Sequence, residues 1–310
     1  MTPAFSATAR TAATPLLGRC TFPPASSEIA CAVSGGADSL ALLLLAWAAG
    51  CQVVAHHVDH GLRAGSDLDA AAVQQVAALI GVAVVVHRAD LEPGPNLEAR
   101  ARAARRSLLP VGAATGHTAD DQAETVLLNL MRGASTDGLA AMRSGPGHPL
   151  LGLRRAETRA LCAGLGLEVV DDPSNLDPVH LRNRVRHELL PLLCELSGRD
   201  VVPILARQAL LLADDAALLT ELAAGIDPTD VRALAGAPVP LARRAVRRWL
   251  RTARPALGYE PASGYAPSAA VVERVLAVAA GTDRATEIGS GQRVRRSGGR
   301  LFLEASRADS

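Results

Sequence analysis

The segment at residues 29–40, IACAVSGGADSL, constrains this chain more than any other part of its sequence. The apolar residues 29–33 favour a buried strand, and the apolar residues 40–49 favour a buried helix. Between them lies a polar turn with two adjacent glycines. Glycine lets a backbone approach an anion closely, and a helix N-terminus adds unpaired N–H groups and a partial positive charge. The pattern predicts a phosphate site made by Ser34, Gly35, Gly36, Asp38 and Ser39.

A purely structural interpretation of this turn stays open, because Asp38 and Ser39 also stand where they could cap the helix. The turn lacks the lysine of a Walker loop, and the whole chain contains no lysine at all. It does not have the spacing of the G-x-G-x-x-G dinucleotide motif either. An anion site in this chain must therefore depend on arginine and on backbone N–H groups.

Alternation of strand and helix patterns defines the fold class. After the first unit, strands are predicted at 52–57, 82–87 and 111–115, and helices at 67–80, 96–109 and 119–131. This order is typical of an α/β protein with a doubly wound parallel sheet, which binds ligands beyond the carboxyl ends of its strands. We expect an N-terminal extension at 1–28, a catalytic domain at 29–200, and a mainly helical domain at 201–310. A glycine turn at 297–299 predicts a small hairpin at the end of the second domain.

Size and composition exclude several classes of protein. At 310 residues and 49% apolar residues, the chain can bury a core without metals or disulfides. Its five cysteines contain no C-x-x-C pair, so neither a zinc site nor a cysteine-held cluster is indicated. No apolar run reaches the length of a membrane span, and we expect no membrane partner.

Polar residues follow the second predicted strand in the segment 57–63, HVDHGLR. The two histidines, His57 and His60, with Asp59 and Arg63 could ligate a metal, hold the base and ribose of a nucleotide, or bind a phosphate. Ordinary loop composition is the alternative, and local spacing alone leaves all of these open.

The segment 116–125, GHTADDQAET, combines Gly116 with a histidine and two acids on one helical face. His117, Asp121 and Glu124 are spaced by four and three residues, so their side chains share that face. At the carboxyl end of a strand, they suit Mg²⁺ or an ammonium group. The structural alternative is that Thr118 caps the helix and the acids complement its dipole, which explains Glu124 less well.

Two groups of arginines are candidates for binding phosphate or RNA. In RNRVR, the spacing puts Arg182 and Arg186 on one helical face and points Arg184 elsewhere. Further on, Arg243, Arg247 and Arg251 recur at every fourth residue and could neutralise an RNA backbone. The first group could equally be a solvated face paired with acids, and the second a solvated face or an interdomain contact.

Taken together, these motifs carry a family resemblance. The turn S-G-G-x-D-S resembles the PP-loop of the ATP pyrophosphatases, which adenylate an oxygen of a substrate. The set SGGADS, HVDHGLR, GHTADDQAET, RG at 132–133 with GL at 138–139, DDPSN at 171–175 and RNRVR resembles the tRNA(Ile)-lysidine synthetases in order and spacing. The resemblance covers roughly residues 29–193, and the helical tail is similar to the shorter form of the family.

The resemblance implies an activity and a set of roles. Members of this family use ATP, Mg²⁺ and free L-lysine to convert the wobble cytidine of tRNA(Ile) with a CAU anticodon to lysidine, in the cytoplasm. It implies that the turn at 34–39 binds pyrophosphate, with Asp38 as a candidate Mg²⁺ ligand, and that His57, Asp59, Arg63 and Gly116 flank ATP. Asp121 and Glu124 are then candidates to bind the lysine ammonium and to accept or relay its proton, with His117 as a further catalytic candidate beside them. Arg182 and Arg186 would approach phosphate or tRNA. A homodimer stays possible.

Three alternatives stay open. A PP-loop tRNA thiolase usually needs paired cysteines, and a PP-loop synthetase of the amidotransferase type needs an ammonia source. A catalytically idle nucleotide- or RNA-binding protein would have no need of His117, Asp121 and Glu124 together. The chain also departs from the family pattern at Arg105-Arg106 and in a trimmed connection before the predicted strand at 111–115.

Overall fold

A computed structural model describes residues 3–59, 61, 66–89, 97–170, 177–253 and 267–305. His60, Arg63, the DDPSN turn and most of the predicted loop at 255–267 lie outside the described residues. The chain divides into two compact units, Met1–Ala213 and Asp214–Ser310. The division falls inside a long helix, whereas we predicted a boundary just ahead of that helix, near residue 200.

The first unit is built on a parallel sheet in the order β3-β2-β1-β4. Its strands are β1 (Glu28–Ala32), β2 (Gln52–Asp59), β3 (Ala83–Arg88) and β4 (Ala114–Thr115). In register, Ala32 at the end of β1 lies opposite His56 of β2 and Thr115 of β4. The segments that follow β1, β2 and β4 therefore leave the sheet at one edge, as a doubly wound sheet requires.

Helices of the first unit follow the predicted alternation. They are α1 (Pro3–Leu17), α2 (Ala37–Ala48), α3 (Ser66–Ile80), α4 (Leu97–Leu108), α5 (Ala119–Met131), α6 (Thr136–Leu139), α7 (Arg155–Gly164), α8 (Leu181–Arg184), α9 (Leu190–Ser197) and α10 (Val202–Leu222). A π-helical segment, Val185–Leu189, joins α8 to α9. Helix α10 continues into the second unit.

Helix α2 forms the centre of the core. Its five leucines between residues 40 and 45 are almost completely buried, and α1, α3 and α7 pack against it. Ala13 of α1 belongs to the same core cluster, and Phe5 and Leu16 pack on that cluster. The N-terminal segment is thus a helix that completes the core around α2.

The fourth strand is shorter than predicted. Val111 is fully exposed, and Gly112 adopts a positive φ of 80°. The N–H of Ala113 donates to the carbonyl of Pro110 at 3.0 Å. Pro110 and Gly112 therefore form a turn, and β4 keeps only the two residues that pair with β1.

The second unit has its own apolar core. It contains α11 (Val231–Gly236), α12 (Val239–Ala253), α13 (Ala269–Ala280) and an antiparallel sheet of β5 (Ala285–Gly289), β6 (Gln292–Ser297) and β7 (Arg300–Ala305). The core is filled mainly by valine, with Leu250, Ile288 and Leu301. The predicted terminal hairpin, β6 with β7, is present, but β5 makes it a three-stranded sheet. The prediction missed β5 because Ile288 is its only buried residue. Among the described residues, no helix is long and apolar enough to cross a membrane.

Candidate active site

The glycine turn after β1 leaves the start of α2 open. Gly35 adopts a φ of 83°, and the extended Gly36 is the N-cap residue, with no side chain capping the helix. Asp38 and Ser39 are therefore not the capping residues. The hydroxyl of Ser39 donates to the Gly36 carbonyl at 2.8 Å and accepts from the N–H of Ser34 at 3.0 Å. Ser39 thus shapes the turn, while the backbone N–H groups at the helix start can receive an anion.

Gly116, which follows β4, lies directly against this turn. A Cβ atom at Gly116 would stand 2.5 Å from the carbonyl oxygen of Asp38 and 2.9 Å from the nitrogen of Ser39. Only glycine permits this approach. It brings the loop before α5 next to the start of α2.

The end of β2 contributes His57 and Asp59. His57 is 3% exposed, and its Nδ1–H donates to the Val33 carbonyl at 2.8 Å. The other ring nitrogen, Nε2, is buried and has no hydrogen-bond partner in the described part of the chain. Asp59 accepts the N–H of Gly61 at 2.9 Å. His57 therefore presents a free acceptor, with its tautomer fixed by Val33.

Helix α5 presents the two predicted acids, and one of them also caps the helix. Oδ2 of Asp121 accepts the N–H of Thr118 at 2.9 Å and its hydroxyl at 3.1 Å. The predicted structural role of Thr118 is thus real, but it uses only one carboxylate oxygen of Asp121. Glu124 is completely buried and takes no part in capping. The Oδ1 atom of Asp121 and both oxygens of Glu124 remain for other partners.

Three arginines bind these oxygens, and we define them here as the arginine cluster: Arg155, Arg182 and Arg186. Arg182 Nε lies 2.7 Å from Glu124, and its Nη2 lies 2.9 Å from Asp121. Arg186 contacts Glu124 through two nitrogens, at 2.7 and 3.1 Å. The two arginines of RNRVR thus share one face, as predicted, but their partners are the α5 acids.

Arg184 lies on a different face and pairs with Glu188 at 3.0 Å. This pair is exposed. The predicted separation of Arg184 from its two neighbours is confirmed, and the solvated alternative describes Arg184 alone.

Arg155, the first residue of α7, connects the whole site. Its guanidinium bonds Asp121 at 2.9 Å and Glu124 at 3.0 Å, and it lies 3.4 Å from Asp38. Asp38 also accepts the hydroxyl of Thr158 from the same helix. Sequence reasoning missed both Arg155 and Thr158. The only available signal was an arginine pair at the start of a helix, directly after an apolar run. This arrangement is too common to indicate a functional residue.

The charges of the cluster decide the titration of its acids. Burial alone would raise the pKa of Asp121 and Glu124, but the arginines outweigh burial and hold both pKa values below their ordinary range. Asp38 behaves differently, because burial raises its pKa more than Arg155 and Thr158 lower it. Asp121 and Glu124 are therefore firmly ionised, and Asp38 carries a less compensated charge.

His117 belongs to a second polar group beside this one. Its Nδ1 lies 2.7 Å from the hydroxyl oxygen of Thr115, and Nδ1 of His148 lies 2.7 Å from the same oxygen. The two rings meet edge to face, with centroids 5.2 Å apart. Neither Thr115 nor His148 was predicted.

The remaining predicted arginines, of α12, lie in the second unit. Arg243 pairs with Glu273, and Arg251 is exposed. Arg248, beside them, donates to the carbonyls of Ala223 and Ile226. Arg243 and Arg248 of this helix therefore make contacts within their own unit.

A resident metal cluster is not evident, since the described residues contain no group of three or more histidine, cysteine or acidic side chains arranged for a metal. Mg²⁺ needs less than that, because it commonly binds through one or two carboxylates together with substrate phosphates. Asp38 fits that requirement, because its carboxylate lies at the phosphate turn and neighbouring groups balance its negative charge only in part.

The open turn at the carboxyl edge of a parallel sheet, with buried acids beside it, defines an ATP-binding enzyme of the PP-loop class. A family model of the PP-loop domain matches residues 9–193, and one of the TilS substrate binding domain matches residues 230–302. The tRNA(Ile)-lysidine synthase of Nocardia farcinica is 46% identical, over 74% of this chain and 77% of that protein. That of Salinispora tropica is 42% identical, over 90% of this chain and 91% of that protein. The chain belongs to the tRNA(Ile)-lysidine synthase family.

A U34-tRNA thiolase from Methanococcus maripaludis has a solved structure that aligns with a TM-score of 0.49 and 18% identity, covering 67% of this chain and 79% of that one.

Proposed function

We propose that this protein joins L-lysine to C2 of the wobble cytidine of tRNA(Ile) with a CAU anticodon, using ATP and Mg²⁺ and releasing AMP and pyrophosphate. The observation that carries the proposal is the juxtaposition of the phosphate turn with two buried, ionised acids of α5. A turn alone suits any PP-loop enzyme, whereas buried acids beside it suit a cationic amine as the nucleophile. The activity would belong to the cytoplasm, where these substrates occur.

The chemistry requires activation of a poor leaving group. The C2 oxygen of cytidine leaves only after ATP has adenylated it, since AMP then carries the oxygen away. The N–H groups at the start of α2 would receive the pyrophosphate. Mg²⁺ held by Asp38 would neutralise charge on the phosphates. The free Nε2 acceptor of His57 suits an amino or hydroxyl group of ATP, and Asp59 and Arg63 complete the predicted ATP set.

Lysine recognition would use Asp121 and Glu124. Both are ionised and buried, which favours an ammonium group, but the arginine cluster now occupies their oxygens. An ammonium cannot join three guanidinium groups without strong repulsion, so at least one arginine must leave first. Arg182 is the most exposed member, with 33% of its side chain accessible, and phosphate is a better partner for it than water. ATP and lysine would then bind with positive coupling.

Recognition of tRNA would involve the second unit. The match of residues 230–302 to a substrate binding domain supports this assignment. Arg251 and its neighbours Arg243 and Arg247 on α12 are the candidates for phosphate contacts. Replacing Arg251 by glutamine should weaken tRNA binding and lower its salt dependence by about one counterion.

The direct test is transfer of radiolabelled lysine to a tRNA(Ile) transcript with a CAU anticodon. The wild-type protein should label the transcript only when ATP and Mg²⁺ are present. Asp121→Asn and Glu124→Gln should each reduce labelling at least about 100-fold, as loss of a buried charge that binds the ammonium group predicts. Glu188→Gln, which removes an exposed acid of the same unit, is the matched control and should retain activity. Normal turnover in both α5 variants would contradict the assignment of lysine binding.

A further inference from the structure

The lysine nitrogen must lose protons during the proposed reaction, and the acids beside it are poorly suited to take them. An ε-ammonium carries three protons, whereas the nitrogen bound to C2 in the product carries at most one. Asp121 and Glu124 are ion-paired to arginines, which lowers their pKa values and makes them weak bases. Another group must therefore accept at least one proton.

The contacts of Thr115 provide such a group. A threonine hydroxyl has one proton to donate and can also accept a hydrogen bond. With Nδ1 of His117 and Nδ1 of His148 both at 2.7 Å, Thr115 can accept from one ring and donate to the other. The carbonyl of Gly147 is a more distant alternative acceptor, at 3.2 Å. Two imidazoles bridged by one hydroxyl can exchange a proton by reversing both hydrogen bonds.

His117, Thr115 and His148 extend from the acids of α5 to a partly exposed side chain. His117 lies close enough to Asp121 that a positive charge on its ring, which the ring carries once it has taken up a proton, lowers the pKa of that carboxyl. Thr115 is fixed by strand pairing at the end of β4, and its N–H donates to Gly147 at 3.0 Å. His148 follows a tight turn in which its own N–H donates to Gly145, and its ring is partly exposed.

We propose that His117, Thr115 and His148 form a proton relay that removes a proton from the lysine nitrogen as it attacks C2; this inference rests on the proposed function. The ammonium first loses one proton to water, which leaves a neutral amine with an electron pair. That electron pair forms the C2–N bond, and the electron pair of the C2–O2 bond leaves with AMP. The proton passes to Nε2 of His117, the Nδ1 proton of His117 passes to Thr115, and the Thr115 proton passes to Nδ1 of His148. His148 then returns a proton to water. Thr115 and His148 are positioning residues, since they act through His117.

The test separates adenylation from lysine transfer. Enzyme, tRNA, ATP and Mg²⁺ are mixed without lysine and pyrophosphate release is followed; radiolabelled lysine is then added and the transfer rate is measured in H₂O and D₂O. Thr115→Val keeps the shape but removes the hydroxyl, and Thr115→Ser restores it. Thr115→Val should transfer lysine at least about tenfold more slowly than Thr115→Ser. This factor is a small part of the rate enhancement that general base catalysis usually contributes. The solvent isotope effect should change in Thr115→Val only, and KM for lysine should change less than kcat.

A second variant, His148→Gln, removes the far end of the relay and should show the same slow transfer. Equal transfer rates and isotope effects in Thr115→Val and Thr115→Ser, or wild-type transfer in His148→Gln, would overturn the relay. Failure of the proposed function has a different signature, because the wild-type protein itself would then release no pyrophosphate or take up no lysine.

Discussion

Replacing Arg155 by methionine should destabilise the first unit, and the loss should shrink in mild acid. In the folded protein, this side chain bonds Asp121 and Glu124 and lies beside Asp38. After the substitution, Asp121 and Glu124 still pair with Arg182 and Arg186. Among its described partners, Asp38 keeps only a hydroxyl. Breaking a buried ion pair costs ~3–5 kcal/mol, and since most partners remain paired we expect about 3 kcal/mol near pH 7.

The pH dependence follows from the sign of the Asp38 shift. Burial already raises the pKa of Asp38, and removal of Arg155 removes one of the causes that lower it. When the pKa of a carboxyl is higher in the folded protein than in the unfolded one, protonation of that carboxyl stabilises the folded state. This stabilisation is lost as pH rises through the pKa of the folded protein. The deficit of the variant should therefore be largest at about pH 8 and smaller at about pH 4.5, just above the ordinary carboxyl range, where the lowered pKa values keep Asp121 and Glu124 ionised.

The assay is urea unfolding followed by tryptophan fluorescence. The chain has two tryptophans, Trp47 in the first unit and Trp249 in the second, so a Trp249→Phe background reports on the first unit alone. Arg184→Met, which removes an exposed ion pair, is the matched control and should leave the unfolding midpoint unchanged at both pH values. An Arg155→Met deficit that is absent, or equal at both pH values, would refute the idea that Arg155 compensates Asp38.

Three further predictions concern the same unit. Gly116→Ala should lower the free energy of unfolding of the first unit by at least about 2 kcal/mol in urea and abolish ATP binding measured by calorimetry, because the new Cβ would overlap the phosphate turn. Gly164→Ala, which has open space around it, should be tolerated in both measurements. Burial raises the pKa of Cys31 and Cys162 to about 12, so neither thiol should react with a disulfide reagent at about pH 8 until the protein unfolds; rapid labelling of both in the native protein would contradict their burial. Because the arginine cluster lowers the pKa of both α5 acids, thermal stability should hold above about pH 4.5 and fall as pH drops through their lowered values, and a midpoint insensitive to acid would argue against the ion pairs.

Local patterns predicted the elements of the first unit well because each is strongly apolar or strongly periodic. The bounds of α5, Ala119–Met131, agree with the structure, and those of β1 and β2 differ by at most two residues. The weak elements failed for physical reasons. A turn at Pro110 and Gly112 shortens β4, and β5 buries one side chain, which leaves almost no alternation for a sequence pattern to detect.

The acids of the site could be found from sequence because they follow one strand at helical spacing. Their partners could not, since Arg155 lies on a helix that follows a separate loop, and only tertiary packing brings it to Asp38 and Glu124. The role expected for Arg182 and Arg186 shows the same limit. Their shared face was evident from spacing, but spacing does not reveal whether that face meets an acid or a phosphate. Likewise, no local pattern shows that the Thr115 hydroxyl contacts both His117 and His148.

The central claim is that the adenylating turn and the α5 acids together attach lysine to cytidine. Its most direct measurement is mass spectrometry of the wobble nucleoside from a CAU-anticodon tRNA(Ile) incubated with the protein, ATP, Mg²⁺ and isotopically labelled lysine. We predict a cytidine that has lost its C2 oxygen and gained one labelled lysine, with AMP and pyrophosphate formed in equal amounts. Consumption of ATP with an unchanged cytidine, or with any modification other than lysine, would contradict the account.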